Sequence, residues 1–131
     1  LFGINTIGNL NKGWAYQINT INQTELVIEG SLVPFNFPIS IDENWFYLGY
    51  LHQDSYPAED MFASIENDCD NESDFFVVKN SLGEVYWPEF GLNYIGNINP
   101  GKGYQIRTCT EPEFIYPNAQ GMTSPKIQEI I

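Results

Sequence analysis

Apolar residues fall in short runs separated by Gly, Asn, Pro and acidic positions, a spacing that suits brief strands better than long helices. The densest run, residues 45–51, is aromatic or aliphatic at almost every position, which predicts a central strand buried on both faces. One segment carries helical spacing instead. Ala58, Met61, Phe62 and Ile65 recur at intervals of three and four, Pro57 precedes them and Glu59 and Asp60 fall in the first turn, so a short helix is expected over about residues 57–66. Residues 75–79 and 84–87 flank the turn-forming Asn80-Ser81-Leu82-Gly83 and read as a hairpin that Pro88 terminates. Residues 104–108 and 114–116 read as a last pair of strands, with 16–20 and 26–28 as their earlier counterparts. The fold class that follows is mainly β: a β-sandwich or open barrel of short antiparallel strands carrying one short helix.

The pairing of early and late segments rests on an internal repeat. Residues 3–20, GINTIGNLNKGWAYQINT, align with residues 91–108, GLNYIGNINPGKGYQIRT, at an offset of roughly 88 positions. Gly3, Asn5, Ile7, Gly8, Asn9, Asn11, Gly13, Tyr16, Gln17, Ile18 and Thr20 recur as Gly91, Asn93, Ile95, Gly96, Asn97, Asn99, Gly101, Tyr104, Gln105, Ile106 and Thr108. A weaker likeness joins Glu25, Leu26, Val27 and Ile28 to Glu113, Phe114, Ile115 and Tyr116, and the final segment matches the stretch around 31–41. The organisation is A-B-A′ within one compact module: 1–43 the end of one copy, 44–118 the body of a complete copy, and 119–131 the lead-in of the next. A partial copy of this kind is expected to complete a sheet begun by its neighbour.

Charge narrows the function classes. A net charge of -12 with only five Lys and Arg leaves no basic stripe for phosphates, which excludes nucleic acid as a partner and disfavours anionic membrane surfaces. No apolar run approaches the roughly 18–20 residues of a membrane span, so membrane insertion is not expected. The first residues lack the basic and apolar regions of a signal peptide and Leu1 is not an initiator methionine, which points to a piece of a longer chain. The acidic balance suits a secreted or cell-surface setting. Cys69 and Cys109 form either one disulfide or two free thiols; their polar surroundings leave both readings open.

The aromatic series 45–50, the helical pattern 58–65, the run VVKNSLGEVYWPEFGLNYIGN from Val77 and PGKGYQI from Pro100 together resemble a repeat of large secreted or surface proteins of marine Bacteroidetes. The likeness covers most of the chain. It implies location and repetition and supplies no activity or site residues.

Four groups of residues are candidates for chemistry. The glycines of 91–103 lack the Gly-Lys-Ser/Thr ending and following helix of a phosphate loop and read as turns. His52, the only histidine, lies beside Asp54 and Ser55, but neighbours in one loop cannot align a nucleophile, a base and an orienting acid, so no catalytic residue is assigned. Asp68, Asp70, Glu72 and Asp74 alternate along a short loop, an oxygen-rich spacing that suits Ca²⁺, although an acidic run is more often a solvated turn. Trp14, Tyr86, Trp87 and Tyr94 are candidate stacking rings for a carbohydrate, against the plain alternative that a small β domain needs them for its core.

The expectation is therefore a non-catalytic structural or adhesive repeat of a larger extracellular protein. Its partners would be neighbouring repeats of the parent chain and a glycan or cell-surface protein. An accessory carbohydrate-binding module is the alternative. A glycoside hydrolase would need two carboxylates facing one cleft, and no spacing singles out such a pair.

Overall fold

The computed structural model describes residues 3–67, 69–70 and 74–118. Its strands are β1 (Ile39–Ser40), β2 (Asn44–Gly49), β3 (Tyr56–Pro57), β4 (Val77–Lys79), β5 (Val85–Trp87), β6 (Leu92–Asn93), β7 (Asn97–Ile98), β8 (Gly103–Thr108) and β9 (Glu113–Phe114). The helix α1 (Ala58–Met61) follows β3. All pairings are antiparallel: a five-stranded sheet in the order β2-β8-β4-β5-β6, and two-stranded sheets β1-β9 and β3-β7. The chain is mainly β, with open sheets as expected of a sandwich.

Alternation along β8 explains how these sheets share a core. Tyr104, Ile106 and Thr108 point inward while Gln105 and Arg107 do not, the period of two that a half-buried strand requires. The register then places Phe46 beside Ile106, Ile106 beside Val78 and Val78 beside Tyr86, an apolar row across four strands. Ile39 and Phe114 from the β1-β9 pair, Ile98 from β7, and Ala58, Met61 and Phe62 from the helical turn close over the row. Thr108 is buried too, its hydroxyl donating to the Thr110 carbonyl at 2.9 Å, which removes the cost of an unpaired polar group.

The 80–83 hairpin forms between β4 and β5, with Asn80 Oδ1 accepting from the Leu82 and Glu84 amides. Pro88 ends β5 and opens a 3-10 turn to Phe90. The expected helix is present and shorter than its pattern: only 58–61 is α-helical, and the Ile65 and Glu66 amides then bond back to the Phe62 carbonyl in a tight turn that keeps Ile65 in the core.

Three expectations are corrected. β2 is a terminal strand, not a central one, and only Phe46 and Leu48 of its side chains turn inward; Trp45 remains 46% exposed, with Lys79 Nζ 5.4 Å from its ring centroid. Trp45 thus makes a cation-π contact on the outer face instead of being buried there. The strands at 104–108 and 114–116 do not pair with each other: β8 lies between β2 and β4, and β9 pairs with β1. Residues 16–20 and 26–28 form no strands, because β8 and β9 already occupy the places that these counterparts would take. β1 lies upstream of residue 44 and belongs to the same core through Ile39 and Ile41. The lead-in 119–131 lies outside the described residues.

Candidate functional site

His52 is held by rings on several sides. Its Nε2–H donates to the Pro117 carbonyl at 2.8 Å, Phe35 stacks on it at 4.6 Å between centroids, and Tyr56 and Tyr116 meet it edge-on. Asp54 accepts from the Tyr50 hydroxyl through its backbone carbonyl, and the Ser55 hydroxyl bonds Asn99 Oδ1 at 2.6 Å. The three residues that lie close together in sequence thus go to three different partners, and the histidine serves to join the 50–56 loop to the segment after β9.

Cys69 and Cys109 are joined as a disulfide across 40 residues of sequence, with Cα atoms 5.1 Å apart. It ties the loop after the helical turn to the end of β8. Of the candidate calcium ligands, Asp68 and Glu72 lie outside the described residues. Asp74 faces Arg107 at 3.8 Å, and that guanidinium also donates to the Phe75 carbonyl at 2.7 Å and lies over the Phe75 ring. Asp70 is exposed, and no metal-holding group of His, Cys, Asp or Glu is present among the described residues.

Of the four candidate stacking rings, two are displayed and two are not. Tyr94 is 65% exposed and Trp14 is 41% exposed. Tyr86 is a correction: it lies in the core, and its hydroxyl donates to Glu66 Oε1 at 2.5 Å. Burial, followed by that bond to the carboxylate, pushes its phenol well above the ordinary tyrosine value. Trp87 is half-buried between Phe75 and Phe90, with its indole nitrogen enclosed. Its place in β5, directly before the 3-10 turn, makes it a wedge between that turn and Phe75, ahead of β4.

An open groove of about 840 Å³ runs between residues 15–19 and the outer face of the five-stranded sheet, where Tyr47, Lys79, Asn80 and Gln105 line it. Gln105 Nε2 donates to the Tyr47 hydroxyl at 2.8 Å, joining neighbouring outward positions of β2 and β8. None of these residues is among the four groups of candidates that the sequence offers. The signal that could have found them is the period of two: if Phe46, Leu48, Tyr104 and Ile106 face the core, then Tyr47 and Gln105 must face away from it.

The two repeat copies share local geometry. The Tyr16 hydroxyl accepts from the Asn11 amide at 2.8 Å, and the Tyr104 hydroxyl accepts from the Asn99 amide at 2.8 Å. Asn5 Oδ1 accepts from the Gly8 amide at 3.0 Å, as Asn93 Oδ1 does from the Gly96 amide at 2.9 Å. The pairing and the surroundings differ, since only the second copy forms strands. Tyr104 is buried, and that burial raises its phenol, partly offset by the Asn99 amide; Tyr16 is partly open.

No helix among the described residues is long and apolar enough to cross a membrane. No protein-family model matches the chain, and neither do any curated protein or any solved structure.

Proposed function

We propose that this chain is a non-catalytic structural or adhesive repeat module of a larger extracellular protein. The observation that carries the reading is the recurrence of one local structure in two copies, in which a tyrosine hydroxyl five residues downstream accepts from an asparagine amide at 2.8 Å in each. A motif kept to the level of individual hydrogen bonds is a building unit, and units of this period stack to extend a surface or to space its attachments. The Cys69–Cys109 disulfide supports an oxidising compartment.

A carbohydrate-binding role is the second reading, favoured by the partly exposed Trp14, which lines an open cleft with Asn11, Lys12 and Asp42. A glycan-array screen of the 131-residue chain, run with calcium and again with a chelator, separates the two. A blank array under both conditions is the expected result. Saturable binding that Trp14→Ala abolishes would replace the structural reading with the carbohydrate one, and chelator sensitivity would assign the acidic loop a calcium ion.

A further inference from the structure

Residues 3–30 hold a set of apolar side chains whose counterparts form the core of the same molecule. Leu10, Ile18, Leu26 and Ile28 are 67%, 69%, 66% and 76% exposed, while Ile98, Ile106, Phe114 and Tyr116, at the equivalent places of the second copy, are each 0% exposed. Scattered exposed leucines and isoleucines need no explanation, but four that match four buried positions in order do. Its first part repeats the local bonds of its counterpart, those of Asn5 and Tyr16 matching those of Asn93 and Tyr104, while 16–20 and 26–28 form no strands where their counterparts do. What it lacks is the layer against which β6 to β9 pack, and the body described here has already filled that place with its own β8 and β9. A second copy of the chain offers only the same filled place.

We propose that residues 3–30 complete the β-sheets of a second body, a polypeptide with the sequence chemistry of residues 37–88, by supplying its equivalents of β6 to β9. The proposal rests on the repeat reading and names the partner. Residues 16–20 enter between that body's counterparts of β2 and β4, and residues 26–28 pair with its counterpart of β1. The turn before them stays on the present body: Trp14 bridges Leu48 on the outer edge of β2, the Ala15 amide donates to the Tyr47 carbonyl at 2.9 Å and the Gly49 amide to the Gly13 carbonyl at 2.8 Å. Successive bodies are thereby clamped edge to turn rather than strung on a free linker.

Hydrogen exchange on two chains tests this. One is the 131-residue chain; the other carries an added copy of residues 37–88 directly ahead of Leu1, so that Leu1 and Phe2 follow the added Pro88 as Glu89 and Phe90 follow the original. Amides of 16–20 and 26–28 are expected to slow on the order of 100-fold in the extended chain. Ile18→Asp in that chain is expected to restore their fast exchange and leave 103–108 protected. Fast exchange of 16–28 in the extended chain, with 103–108 still protected, overturns the proposal.

A second measurement does not depend on the added body folding. Residues 91–101 and 104–108 of the 131-residue chain are replaced by the sequences of 3–13 and 16–20, with Lys102 and Gly103 kept because a Cβ at 103 would lie 2.6 Å from the Ala15 Cβ; cooperative unfolding is expected to persist, and its loss also overturns the proposal. Failure of the repeat reading is visible separately, because saturable glycan binding on the array would remove that reading without changing these amide rates.

Discussion

Gly49 and Gly103 face each other across β2 and β8, and the backbone of residues 13–15 passes over the pair. A Cβ at Gly49 would lie 3.1 Å from the Trp14 carbonyl oxygen, and one at Gly103 would lie 2.6 Å from the Ala15 Cβ. The early segment is thus seated on the body where two strands carry no side chains. Gly103→Val is expected to lift residues 13–15 from the edge of β2 at a cost of about 1–3 kcal/mol, the usual penalty of overpacking. Exchange of the Ala15 and Gly49 amides should accelerate while the amide of Ile106 stays slow. Unchanged exchange at Ala15 would show that the glycine pair does not seat the segment.

The disulfide should carry a measurable part of the stability. A closed loop of this length removes chain entropy from the unfolded state, worth up to about 4 kcal/mol. The double variant Cys69→Ser, Cys109→Ser is expected to lose about 2–4 kcal/mol in urea unfolding, and a reductant should do the same to the native chain. A loss below about 0.5 kcal/mol, the scale of an ordinary surface change, would show that the bridge does not constrain the unfolded chain.

Alkaline pH should unfold the protein through its buried phenols. Burial raises the phenols of Tyr50, Tyr86, Tyr104 and Tyr116 above their ordinary value, Tyr116 while its hydroxyl donates to the Gly49 carbonyl at 2.7 Å. These groups release protons near pH 10 in the unfolded chain and later in the folded one, so above that pH the unfolded state binds fewer protons and stability falls. Their contribution is fully present below about pH 10 and is lost as pH rises from there toward the folded values, by up to about 1.4 kcal/mol per group per pH unit. Urea midpoints measured from pH 8 to 11.5 should show no phenol-linked loss at first and then a steepening decline above about pH 10. Tyr116→Phe should make that decline shallower.

Identical residues in the two copies should respond differently to substitution. Ile106→Ala is expected to cost about 2–4 kcal/mol, because it opens a cavity between Phe46 and Val78. Ile18→Ala, at the matching position of the first copy, should cost less than about 0.5 kcal/mol in the 131-residue chain. Equal losses would mean that both isoleucines are buried in solution.

The amino-acid sequence by itself determined the local elements: the hairpin around Asn80 and Gly83, its stop at Pro88, the presence of a short helix within 57–66 and the strand at β8. Each depends on neighbouring residues, through turn chemistry or a period that one segment carries alone. It also determined the repeat, since identity at matched positions needs no three-dimensional knowledge. Only the tertiary structure decided which of two equivalent segments is folded into the sheet. Ile18 and Ile106 sit in nearly the same local sequence, yet one is exposed and the other fully buried, because a slot between β2 and β4 admits a single strand. The fate of the rings was equally non-local: Tyr86 became core and Trp87 a wedge, while Trp14 and Tyr94 stayed exposed, according to what the remote segments brought against them. Pairing of Cys69 with Cys109 belongs with these, since no spacing along a chain encodes the distance between two loops that separate elements bring together.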